Sequence, residues 1–252
     1  MGDQSTLTEI EKKRYKLQML LPGIGASGQE KLKKGKVLVI GIGGLGSFVL
    51  QYLTAMGVGT LGLMDFDIIE EENLSHQVFY GMHDIGKLKA VVTKGRLSDL
   101  NPLIRFNMLN VQLHGNNSSS IIPNYDIIVD TTNKSNVHYL INDECIKYNK
   151  VMVYGWVCKL EGRVSVFNYK SGPSYRCAYS ENSERSDGEC AKNITGMPGI
   201  LPGVTGSILA NEVLKIITGQ DNVLSGKIMI VDTFNYLDKF VEVKRNKANF
   251  TE

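Results

Sequence analysis

Lys36-Val37-Leu38-Val39-Ile40, followed at once by Gly41-Ile42-Gly43-Gly44-Leu45-Gly46, is the stretch on which the fold turns. The first five residues are an apolar, β-branched run of the kind that a parallel sheet buries on both faces. Ser47 to Met56 reads as a helix, with Phe48, Val49, Leu50, Leu53 and Met56 as its apolar positions, and Gly57-Val58-Gly59 ends it. Thr60 to Asp65 is the next strand and closes on a carboxylate. Together these make a βαβ unit in about 30 residues. Gly41 permits the tight turn, Gly43 and Gly44 let backbone N–H groups approach phosphates, and Gly46 lets the helix pack close to the sheet. The helix N-terminus adds a partial positive charge. Asp65, about 20 residues on, is spaced to accept hydrogen bonds from a ribose. A glycine-rich turn with no ligand is the other reading of the loop; the strand before it, the helix after it and Asp65 favour the nucleotide. The loop alone leaves open a dinucleotide, as in a dehydrogenase, and a mononucleotide, as in an adenylating enzyme.

The rest of the chain continues the alternation. Leu88 to Leu100 reads as a helix ended by Asn101-Pro102, Arg105 to Leu109 and Tyr125 to Asp130 as strands, Val137 to Tyr148 as a helix and Val151 to Gly155 as a strand. That order predicts a doubly wound, mostly parallel, Rossmann-like α/β sheet. From Glu161 the pattern changes. Gly162 to Tyr169 alternates as a strand, Ala178 to Asn193 is a polar loop, Gly206 to Gly219 a helix, and Gly226 to Asp232 and Phe240 to Lys244 form an antiparallel strand extension. The expectation is one domain over 1–252, with a nucleotide-binding core at about 30–155 and a crossover loop with C-terminal helix and strands at about 156–252.

Composition narrows the class. The 252 residues are 42% hydrophobic and 21% charged, with a net charge of +2, so nothing calls for nucleic acid or an anionic membrane. The cluster Lys31, Lys33, Lys34 and Lys36 reads as a solvated helix end before a strand. No run of about 18 apolar residues predicts a membrane span. Met1 to Lys13 is polar and charged, unlike a signal peptide, so a cytoplasmic setting is expected. The four cysteines, Cys145, Cys158, Cys177 and Cys190, are widely spaced and are expected as reduced thiols, with Cys145 and Cys158 in the core.

Several segments resemble the ThiF/MoeB/HesA family of ubiquitin-activating-enzyme-like adenylyltransferases, in the same order and spacing. They are Arg14-Tyr15-Lys16-Leu17-Gln18, GIGGLG at 41–46, MGVGTLGLMDFD at 56–67, Asn73-Leu74-Ser75-His76-Gln77 and Gly86-Lys87-Leu88-Lys89. Asn101-Pro102, Asp130-Thr131-Thr132, Glu161 to Phe167, Tyr175-Arg176-Cys177, Gly203 to Lys215 and Gly226-Lys227-Ile228 complete the set. The resemblance implies ATP and Mg²⁺ as cofactors. It also implies attack on the α-phosphate by the carboxylate of a ubiquitin-like sulfur carrier or a short peptide, giving an acyl-adenylate and pyrophosphate. It implies a homodimer. Carried over by residue, it places Gly41, Gly43, Gly44, Gly46, Asp65, Asp67, Asn73, His76, Gln77, Lys89 and Asn133 around the nucleotide. Lys89 and Asp130 act on the phosphates, with Asp130 as the candidate Mg²⁺ ligand. Cys190, near where some relatives hold an acyl-accepting cysteine, is either that thiol or an incidental loop cysteine.

The sequence also departs from the family pattern. Leu17, His76 and His138 stand where the family has arginines, and Asn133 stands where it has the metal-binding aspartate. Permanent cations become a leucine and two histidines, and an anionic ligand becomes a neutral amide. The family's paired CxxC motifs are missing, so no structural zinc is expected. The leading reading is an adenylyltransferase with an altered site. The alternative is a degenerate paralogue that binds a carrier or serves as a heterodimer partner subunit, and a dehydrogenase comes a distant third.

Overall fold

The computed structural model describes residues 6–180, 196–235 and 237–250. Eight strands form one sheet in the order β3-β2-β1-β4-β5-β6-β7-β8. They are β1 (Lys36–Ile40), β2 (Thr60–Met64), β3 (Arg105–Leu109), β4 (Ile127–Asp130), β5 (Val151–Cys158), β6 (Glu161–Phe167), β7 (Lys227–Asp232) and β8 (Leu237–Glu242). The first five pair in parallel, and β6, β7 and β8 continue the sheet antiparallel. This is the doubly wound sheet with an antiparallel extension that the alternation predicts.

The apolar runs of the strands serve both faces. Along β1, Val37 and Val39 enter one core cluster and Leu38 and Ile40 the other, because successive side chains point to opposite sides. The first face is covered by α3 (Gly25–Lys34), α4 (Gly44–Met56), α5 (Lys89–Leu100) and α9 (Ile200–Thr218). The second is covered by α7 (Ser135–Lys147), with α6 (Gly115–Ile121) and the single turn α8 (Tyr175–Ala178) beside it. Preceding all of these, α1 (Glu9–Arg14) and α2 (Lys16–Met19) lead into α3.

Helix ends follow simple electrostatics. Lys31 and Lys33 lie in the last turn of α3, where cations complement the helix dipole. Lys31 Nζ donates to Thr218 O at 3.1 Å, and Lys33 Nζ pairs with Glu11 Oε2 at 2.8 Å, so part of the lysine cluster does structural work. Helix α9 is 19 residues long and by length and composition apolar enough to cross a membrane. Here it is the core helix, packed on α4, β5 and β6, with Leu209, Ala210 and Val213 buried and its polar Glu212 accepting from Leu224 N at 2.8 Å.

Candidate functional site

The C-terminal ends of the parallel strands meet at a cavity of about 640 Å³, large enough for a nucleotide. Its floor is the glycine loop. Gly41 has φ +92°, and Thr131 Oγ1 donates to both Ile40 O (3.0 Å) and Gly41 O (2.7 Å), tying the loop to the end of β4. A Cβ on Gly46 would run into the Gly41 carbonyl, so this glycine is what lets α4 begin inside the loop. Gly43 caps α4 with no side-chain hydrogen bond, which leaves the first N–H groups of the helix for a ligand.

Asp65 holds the loop from the end of β2. Its Oδ2 accepts from Ile42 N at 2.6 Å and its Oδ1 from Asp67 N at 2.8 Å. Burial pushes its carboxyl above the usual carboxylate range, against the pull of those two N–H groups. Tyr80 completes the clamp, its hydroxyl donating to Ile42 O at 2.9 Å. Buried Lys89 points its Nζ toward Asp67 Oδ2 at 3.4 Å and lines the cavity. Gln77 is also buried in the wall, and its Oε1 makes no hydrogen bond within the protein. A buried acceptor of this kind calls for a donor from a ligand or water.

His76 lines the same wall. Burial, and then the positive charge of Lys89, lowers its proton affinity below the ordinary value of 6.5, so the ring is neutral at neutral pH. Polyphosphate beside it reverses the second effect. Nucleotide binding is therefore expected to take up protons on the acidic side of neutral, and affinity to rise as pH falls through that range. Titration calorimetry in buffers of different ionisation enthalpy reads the uptake; an affinity flat across that range would show that His76 does not meet phosphates. For folding the sign is opposite. The unfolded chain binds the proton more readily, so the contribution of His76 to stability is lost as pH falls through the ordinary value.

Of the residues that the sequence points to, Gly41, Gly43, Gly44, Asp65, Asp67, His76, Gln77, Lys89 and Asn133 line this cavity. Gly46 shapes the loop from behind. Asn73 is not among the residues of the wall. Its Oδ1 accepts from Glu70 N at 3.1 Å, which caps the short turn Glu71–Ser75. Asp130 also stays out of the wall. It is fully buried and turned inward: Oδ1 accepts from Thr132 N (3.0 Å) and Thr132 Oγ1 (2.8 Å), and Oδ2 pairs with His138 Nδ1 at 2.7 Å. Cys190 lies outside the described residues. Cys158 is buried in the second core cluster, as expected, but is disulfide-bonded where a reduced thiol is expected; Cys145 and Cys177 are free.

These positions decide how well Mg²⁺ fits. Asp130 presents no oxygen to the cavity, both oxygens of Asp65 are already bonded to N–H groups, and Asn133 is neutral. Among the described residues no three carboxylates, histidines or cysteines gather into a metal site. The side chains at the end of β4 therefore do not fit a protein-held Mg²⁺.

Sequence reading gives no place in the site to Phe66, Gln112, Trp156, Lys159 and Pro202, all in the wall, where Lys134 joins them beside Asn133. The signal that finds them is positional. Phe66, Gln112, Lys134 and Lys159 follow the ends of β2, β3, β4 and β5, Trp156 lies near the end of β5 itself, and Pro202 is in the first turn of α9, where a doubly wound sheet gathers its ligand contacts.

The sequence profile of the ThiF family matches residues 15–251. The probable molybdopterin-synthase adenylyltransferase of Porphyra purpurea is 41% identical over 225 residues, covering 89% of this chain and 59% of that protein. The chain thus spans less than two thirds of that relative. The sulfur carrier protein adenylyltransferase of Thermus thermophilus is 38% identical over 245 residues, covering 95% of this chain and 90% of that protein. Among solved structures, E. coli MccB with MccA-N7isoASN superposes with a TM-score of 0.82 at 21% identity, covering 98% of this chain and 75% of that one. At this identity the likeness is one of fold.

Proposed function

Because this chain belongs to the ThiF family, we propose that it binds ATP in the cavity at the strand ends and adenylates the terminal carboxylate of a ubiquitin-like sulfur carrier or of a peptide. The observation that carries this reading is the convergence of three features on one cavity: the uncapped N-terminus of α4, the loop-clamping Asp65 and the buried Lys89. A carboxylate oxygen bonds to the α-phosphorus, the bond from that phosphorus to the bridging oxygen breaks, and pyrophosphate leaves with the electron pair. Little covalent chemistry is asked of the protein. Its task is to position the reactants and to neutralise the charge that develops on the leaving oxygens, which preorganised N–H groups and an ammonium do.

The proposed setting is the cytoplasm, with a second copy of the chain as partner. Exposed Ile10, Leu17, Leu20 and Leu21 near the N-terminus supply apolar surface that such pairing would cover. A second reading has its own support. The inward turn of Asp130 and the neutral Asn133 suit a subunit that binds nucleotide and carrier without turning over, beside an active partner.

Pyrophosphate exchange with ATP separates the two, run with and without candidate carriers and with Asp65→Ala as the background. Carrier-dependent exchange above that background is the expected result. ATP binding with no exchange for any carrier would replace the enzyme reading with the subunit reading.

A further inference from the structure

At the end of β4 the segment Asp130-Thr131-Thr132-Asn133-Lys134 carries two charged side chains, and they face different surroundings. Asp130 is spent inward on Thr132 and His138. Lys134 is exposed, lines the cavity and stands at the N-cap of α7. Its Nζ lies 5.8 Å from the centroid of the Phe66 ring, a cation–π arrangement. Phe66 follows Asp65 at the end of β2, and β1 lies between β2 and β4 in the sheet. The two side chains therefore meet across the end of β1, where the glycine loop begins. No carboxylate lies within ion-pair distance of Lys134 among the described residues, whereas the charge of Lys89 is partly answered by Asp67.

We propose that Lys134 is a second polyphosphate-binding cation, which supplies from the protein the charge that a carboxylate-held metal ion would otherwise bring to the end of β4. The inference rests on the nucleotide reading above and goes further. It makes the protein's own hold on the β- and γ-phosphates independent of a metal. Asn133 and Lys134 then work as a pair: the missing carboxylate removes the metal ligand, and the ammonium replaces the ion. Phe66 keeps the long, flexible lysine stem over the loop.

The test is equilibrium binding of ATP and of AMP to the full chain, in Mg²⁺ and in EDTA, for the wild type, Lys134→Gln, Lys134→Arg and the double variant Asn133→Asp with Lys134→Asn. In EDTA, Lys134→Gln is expected to weaken ATP about tenfold or more, as loss of a charge-assisted contact does. AMP, which lacks the outer phosphates, should change little, and Lys134→Arg should restore most of the ATP affinity. The double variant should bind ATP well only with Mg²⁺. Equal ATP affinity of Lys134→Gln and the wild type in EDTA would overturn this inference alone, as would an equal loss for AMP and ATP. A wild-type chain that binds no ATP in either buffer would overturn the nucleotide reading with it.

Discussion

Replacing His138 with alanine is expected to lower the unfolding free energy by about 3 kcal/mol, the cost of leaving a fully buried carboxyl oxygen without its hydrogen-bond partner together with the packing lost. Asp130 and His138 have no exposure to solvent and sit 2.7 Å apart between β4 and α7. The imidazole also meets the Tyr154 ring edge-on at 5.3 Å, so its deletion removes packing as well as a donor. Without it, the buried carboxylate keeps only the N–H and hydroxyl of Thr132. Urea denaturation followed by circular dichroism gives the change directly. His138→Gln, which can still offer a donor, should recover part of the loss. A shift below about 1 kcal/mol for the alanine variant would mean that Asp130 is satisfied in some other way.

Lys89→Ala should act on chemistry and leave the fold largely in place. Its ion-pair partner Asp67 is half exposed, so no buried charge is stranded when the lysine goes. What disappears is a desolvated ammonium aimed into the cavity from the first turn of α5. Groups of this kind are worth about 10²–10³ in rate when they stabilise a developing anion. The expected outcome is a loss of pyrophosphate exchange of that order with a urea midpoint close to the wild type, and partial recovery in Lys89→Arg. Exchange within about threefold of the wild type would remove Lys89 from the phosphate site.

Much of this was legible in the chain itself, and the reasons are local. A β-branched run before GIGGLG can be only a few things, and Asp65 at the next strand end narrows them further. Boundaries in the core region were readable to within a few residues, because apolar periodicity ends where glycine, Asn-Pro or charge begins. The errors have a common cause. The reading ended β5 at Gly155, yet the strand runs to Cys158. Strand length there is set by antiparallel pairing with β6 across the two-residue turn Lys159-Leu160, a partner that the apolar run of β5 alone does not name. The expected helix from Gly206 in fact starts at Ile200, with Pro202 in its first turn, where a missing N–H does no harm. The directions of Asp130 and Asn73 were not legible for the same reason. Spacing fixes which strand end a residue occupies, but His138 and Glu70 decide where its side chain turns.

The tie between Thr131 and the glycine loop has a consequence for the order in which the molecule assembles. The hydroxyl of Thr131 closes on Ile40 across 91 residues of chain, and β1 gains β4 as its neighbour only through that same long excursion. Closing so long a loop is entropically slow, and contacts of this range form late. The local hairpin of β5 and β6 has no such delay. A ribosome must therefore have released β4 before the floor of the cavity exists, and nucleotide can act only on a chain that has already passed this step. ATP would then slow unfolding without hastening folding, acting as a latch on a finished structure and not as a template for it.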